Sequence, residues 1–102
     1  MRIAELLAGL EAISRGRPDR VLRLRGSLPA AAGREPFELL IFRGFSSSVS
    51  HPTAFDPDQP ALPEEALIEA ADLLLGPLDP AVEQVLAGAQ PVFRFLEPSA
   101  WD

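Results

Sequence analysis

The chain has no cysteine, no lysine and no tyrosine, and it holds one histidine and one tryptophan among its 102 residues. Without cysteine there is no disulfide, zinc ribbon, thiol catalysis or iron–sulfur ligation. With one histidine besides, a structural transition-metal site lacks ligands, and neither metal nor cofactor is expected. The missing lysine removes the phosphate-loop pattern G-x-x-x-x-G-K-[ST]. No apolar run approaches the roughly 20 residues of a membrane span. Glu5 and Glu11 put carboxylates where the apolar core of an export signal would lie, so a cytoplasmic protein is expected. An excess of basic charge is lacking too. The net charge of −6 argues against general affinity for nucleic acid or anionic membranes.

What is present suits one small ordered domain, 1–102: 47% apolar residues, 24% charged residues and 11.0 kDa. The charge is polarised along the chain. Residues 1–43 carry eight arginines against five acids, and residues 44–102 carry one arginine against ten.

Ile3, Leu6, Leu7, Leu10 and Ile13 follow helical spacing over residues 3–14, with Gly16 placed for a left-handed cap and Pro18 as a stop. Val21 to Arg25 alternates, turning Leu22 and Leu24 one way and Arg23 and Arg25 the other. Gly26 to Pro36 reads as a connecting loop. Phe37 to Phe45 is apolar on both faces, which suits a central strand or one under a helix. Pairing 20–26 with 37–43 gives an antiparallel hairpin. From Gly44 to Pro63 periodicity stops, yet Phe45, Val49, Phe55 and Leu62 recur, so an ordered loop is expected. Residues 64–75 carry two signals. Pro63-Glu64-Glu65 resembles a helix start and Leu67, Ile68, Ala71, Leu74 and Leu75 keep helical spacing. Asp79-Pro80 suggests a short helix through about Ala87, and Val92 to Leu96 a last short strand.

Three constellations in the 44–63 stretch could carry chemistry. Ser46, Ser47, Ser48, His51 and Asp56 supply the residue types of a nucleophilic triad, but they share one short segment and no G-x-S-x-G elbow is present. Gly44 to Ser48 after a strand could cradle an anion, although serines more often stabilise turns. Asp56-Pro57-Asp58 lacks the glycine and distal glutamate of an EF-hand calcium loop, which leaves capping and turn formation ahead of a weak surface calcium site. No catalytic residue is assigned, and the chain is expected not to be an enzyme. Arg15, Arg17, Arg20, Arg23 and Arg25 form the one basic cluster, a candidate for RNA phosphates without interleaved aromatics to stack bases.

The stretch Phe42-Arg43-Gly44-Phe45-Ser46-Ser47-Ser48, then Thr53-Ala54-Phe55-Asp56-Pro57-Asp58, Pro60 and Leu62-Pro63, resembles a family of cyanobacterial proteins with plastid relatives in plants. The likeness continues more loosely through Ile68, Asp72, Leu73, Gly76-Pro77 and Pro80, about half the chain in all. It implies a cyanobacterial cytosol or chloroplast stroma and brings no established activity. It also implies that 66–75 is a strand, against the helical spacing.

The resulting expectation is an α+β fold in which an N-terminal helix packs on a small antiparallel sheet of three main strands, with a long ordered loop. A partial SH3-like barrel is one form such a sheet takes. The expected function is non-catalytic protein binding, an assembly or regulatory role, through Phe45, Ser46, Ser47, Ser48, Thr53, Phe55, Asp56 and Asp58. Phe45, Phe55 and Trp101 would be anchors if exposed. RNA or ribosome association through the five arginines is the alternative.

Overall fold

A computed structural model describes residues 2–31, 33–48, 62–76 and 83–102. Helix α1 spans Ile3–Arg15, followed by strands β1 Arg20–Ala30, β2 Gly33–Phe42, β3 Phe45–Ser48, β4 Leu67–Leu75 and β5 Val85–Gln90. Two 3-10 turns, Val92–Leu96 and Pro98–Trp101, end the chain. The strands form one antiparallel sheet in the order β3-β2-β1-β4-β5, an α+β arrangement with α1 on one face. The order is linear, and β3 and β5 are its edges among the described residues.

Helix α1 buries Leu6, Leu7 and Leu10, the middle of the apolar stripe in the sequence, against Leu22, Leu24, Phe37, Leu39, Ile41, Ala71 and Leu73 of the sheet. Its end differs from expectation. Gly16 stays right-handed at φ −85; its amide donates to the Ile13 carbonyl and the Arg17 amide to the Ser14 carbonyl, without the left-handed cap. The other end is capped from far along the chain, where the Glu64 carboxylate accepts the Ile3 and Ala4 amides at 3.0 and 3.3 Å. The helix start expected at Pro63-Glu64-Glu65 is not there; Glu64 caps α1 instead, and strand β4 follows it.

Residues 67–75 are strand. The pattern looked helical because β4 lies between β1 and β5 and is buried on both faces from Ala71 to Leu74. Such a strand carries no clean alternation. The expected loop 26–36 is instead the continuation of β1 and β2, paired from Gly26↔Phe37 to Ala30↔Gly33. Pro29 and Pro36 fit because, among the described residues, β4 reaches only Ser27 and β3 only Leu39, so each proline faces a single described strand. The first residues of the expected loop, Phe45–Ser48, form β3, and the sheet has five strands instead of three. Val85 to Ala87, expected to end a short helix, open the strand Val85–Gln90, and Val92–Leu96 is a 3-10 turn where a strand was expected. Pro91 opens that turn, and the three-residue spacing of Val92 and Phe95 points both into the core.

Trp101 is fully buried, edge-on to Phe95 with centroids 6.2 Å apart, and its indole N–H donates to the Phe95 carbonyl at 2.8 Å. Arg20 Nε holds the Trp101 carbonyl at 2.9 Å and Arg17 Nε the Asp102 carboxylate at 2.7 Å. The C-terminal turns therefore share the α1 side of the sheet. No described helix is long and apolar enough to cross a membrane.

Candidate functional site

Strands β2 and β3 are joined by Arg43 and Gly44 alone, with Phe42 paired to Phe45. Both turn residues have positive φ, 50° and 86°, as the two-residue hairpin of type I′ requires. Glycine suits that conformation and arginine does not; a non-glycine residue there costs roughly 1–2 kcal/mol. Gly44 is also required sterically, since a Cβ would meet the Arg15 side chain at 2.6 Å.

The turn is braced against α1 and the segment after it. The Gly44 amide donates to Ser14 Oγ at 2.7 Å, and that hydroxyl donates to the Glu11 carbonyl at 2.8 Å. Ser46 Oγ donates to the Glu11 carboxylate at 2.7 Å. Arg43 Nε donates to the Pro18 carbonyl at 3.2 Å, with its guanidinium 4.8 Å over the Phe42 ring. These contacts fix the position of Phe45, which is 78% exposed. Cross-strand partners share a face, so Phe45, Phe42, Val21, Leu74 and Val85 form an apolar row across all five strands on the face away from α1. Val21 and Leu74 are buried at its middle, while Phe45 and Val85 are exposed at its ends.

The next row on that face holds the arginines. Asp72 is buried and accepts Arg23 Nε at 3.0 Å, Arg25 Nη2 at 3.1 Å and the Ala89 amide at 2.7 Å. Arg23 also bridges Glu83 and, at 3.6 Å, Glu38. Burial alone would raise the Asp72 carboxyl; the Ala89 amide and the two guanidinium groups outweigh it and hold the carboxyl below its ordinary value. Burial likewise opposes the charge on Arg23, but its bonds to Asp72 and Glu83 prevail and raise its pKa. Ala89 takes a left-handed φ of 51° to deliver its amide, and β5 shifts register on either side of Leu73.

Of the expected partner-binding residues, β3 brings together Phe45, Ser46, Ser47 and Ser48, with Phe45 and Ser47 exposed on the same face. Thr53, Phe55, Asp56 and Asp58 lie outside the described residues, as does His51 of the triad constellation; of the stretch expected to be an ordered loop, the described residues are Gly44 to Ser48, mostly in β3, and Leu62 and Pro63, of which Leu62 is buried. Trp101 is no anchor, being buried. The arginine cluster is not one patch. Arg17 and Arg20 tie down the C-terminus, Arg23 and Arg25 hold Asp72, and exposed Arg15 lies across Gly44. Among the described residues no three His, Cys, Asp or Glu side chains are grouped as a metal site would need.

Sequence reasoning missed Arg43, Ser14 and Asp72. A lone carboxylate inside the apolar run Ala70–Leu75 was the available signal for Asp72, since a buried acid needs partners. Nothing local marks Ser14, whose role depends on a turn 30 residues away.

No curated protein and no solved structure matches the chain. Residues 7–92, from within α1 through β5 to Val92, match the family described as Domain of unknown function (DUF7734). That span includes the hairpin, the Asp72 cluster and every strand of the sheet, and the chain belongs to this family.

Proposed function

We propose that this chain is a non-catalytic protein-binding module that docks through the β2–β3 hairpin. The observation that carries the reading is Phe45, a large apolar side chain 78% exposed on a hairpin braced at Arg43, Gly44 and Ser46. A fixed aromatic loses little freedom on binding, which is why such residues dominate interface energetics. The serines support the same reading, since Ser46 commits its hydroxyl to α1. Nucleic-acid binding has less support, because Arg17, Arg20, Arg23 and Arg25 each hold a carboxylate or carbonyl of the chain itself. The F-R-G-F-S-S-S…T-A-F-D-P…P-x-L-P stretch extends the proposal to an assembly or regulatory factor of a cyanobacterial or plastid compartment.

The test is a photo-crosslinking side chain at position 45 in cell lysate, with the same group at Phe93 as control; Phe93 is 60% exposed in the first C-terminal turn. Discrete protein adducts at 45 that are absent at 93 are expected. No adduct at 45, or the same adducts from both positions, overturns the reading.

A further inference from the structure

Arg43 stands in a backbone conformation that disfavours it. The turn itself would be served better by asparagine, the preferred residue before glycine in a type I′ hairpin. The bond to the Pro18 carbonyl and the ring contact with Phe42 offset that cost. That leaves the arginine about neutral for stability, so folding alone gives no reason for a cation here. Strain kept without return in stability is a mark of a working site.

A second cation adjoins it. Arg15 is exposed and its side chain lies against Gly44, the other residue of the turn. Neither Arg15 nor Arg43 has a carboxylate partner among the described residues, whereas Arg17, Arg20, Arg23 and Arg25 all do. The nearby acids each have another partner: Glu11 accepts Ser46 through one oxygen, Asp19 bridges Arg20 and Asp102 bridges Arg17. In a chain of net charge −6, this turn thus presents two exposed arginines without a carboxylate partner among the described residues, and exposed Phe45 follows Gly44 directly in the chain.

We propose that the hairpin tip, formed by Arg43, Phe45 and Arg15, docks an acidic polypeptide segment carrying an apolar anchor. The proposal rests on the protein-binding reading above and names the partner's chemistry. Charge complementarity selects the occupant, because paired guanidinium groups suit carboxylates and Phe45 supplies apolar area beside them. A nucleic acid fits less well. It needs a track of phosphate contacts, and two cations on a strongly acidic chain make a short one.

Panning a phage library of random 12-residue peptides on the full chain tests this. Enriched peptides should combine Asp or Glu with a large apolar residue, and their binding should weaken as salt is raised from about 50 to 200 mM. Phe45→Ser should weaken them at least about tenfold, and so should Arg43→Asn with Arg15→Gln. Arg43→Asn keeps the hairpin, since Asn-Gly is the favoured turn sequence, and an unchanged melting temperature would verify it. Enriched peptides that need Phe45 but carry no acidic bias overturn the charge assignment and leave the protein-binding reading standing. Peptides indifferent to both variants, or no enrichment, overturn the docking site. Binding of polyuridylic acid that is lost in the same variants assigns the tip to RNA and overturns the proposal.

Discussion

Replacing Asp72 with asparagine keeps the shape of the side chain and removes its charge. The wild-type carboxylate is nearly inaccessible and accepts from Arg23, Arg25 and Ala89 at 2.7 to 3.1 Å. An amide can still accept the Ala89 bond, but its NH2 then faces guanidinium donors. Breaking a fully buried ion pair costs roughly 3–5 kcal/mol by leaving a charge unpaired. The cost here falls below that range, because Arg23 retains Glu83 and Glu38, while the Arg25 side chain is 47% exposed and can turn to water. About 2–3 kcal/mol is expected, which for a chain of this size lowers the melting temperature by roughly 10–20 °C. Trp101 is the sole tryptophan and is buried, so its fluorescence reports the transition.

The pH dependence gives a second check. The folded Asp72 carboxyl lies below its unfolded value of about 3.9, so its contribution is full above that value. It is lost as pH falls through the lower, folded value. The gap between wild type and Asp72→Asn should therefore be constant from pH 7 to about 5 and narrow below about 4. A variant melting within about 2 °C of wild type at pH 7 would refute the assigned energetics. So would a gap that persists undiminished at pH 3.

Gly26→Ala should destabilise by about 3 kcal/mol in urea unfolding, because the new Cβ would lie 1.8 Å from the Leu67 carbonyl oxygen, where backbone cannot yield cheaply. Ser14→Ala leaves the buried Gly44 amide without its acceptor and should cost about 1–3 kcal/mol, with faster amide exchange at Gly44. Glu64→Ala should accelerate exchange of the Ile3 and Ala4 amides. Those amides hold the Glu64 carboxyl below its ordinary value, so the protection it gives should be full above about pH 4.3 and fade as pH drops through the depressed folded value.

Elements with one buried face were legible in the sequence. The α1 stripe and the alternation of β1 both place their apolar residues in the core as spaced. Elements whose character depends on neighbours were not. β4 is buried on two sides, so its pattern imitates a helix, and its assignment as strand came from family resemblance rather than periodicity. The prolines of 26–36 suggested a loop because a sequence does not show how far each neighbouring strand reaches. At the candidate site, Phe45 and the serines were visible by type and position. Arg43 was not, because its significance lies in a positive φ that becomes apparent only once Phe42 is seen paired with Phe45.

The charge polarity of the sequence has a structural resolution. Arginines of the basic first part reach acids of the acidic second part: Arg17 to Asp102, Arg23 to Asp72 and Glu83, Arg25 to Asp72. β1 lies at the centre of the sheet, between β2 and β4, so its arginines span the two parts of the chain. Pairing of this kind consumes cations that would otherwise form a broad basic surface. Arg15 and Arg43 lie instead at the turn where β2 ends and β3 begins, across β1 from β4 and β5 in the sheet order, and neither takes part in this pairing. Their availability thus follows from topology. The strand that carries the neutralising Asp72 is separated from the hairpin by β1, and Glu11, whose carboxylate accepts Ser46, is the acid that the described fold places beside the turn.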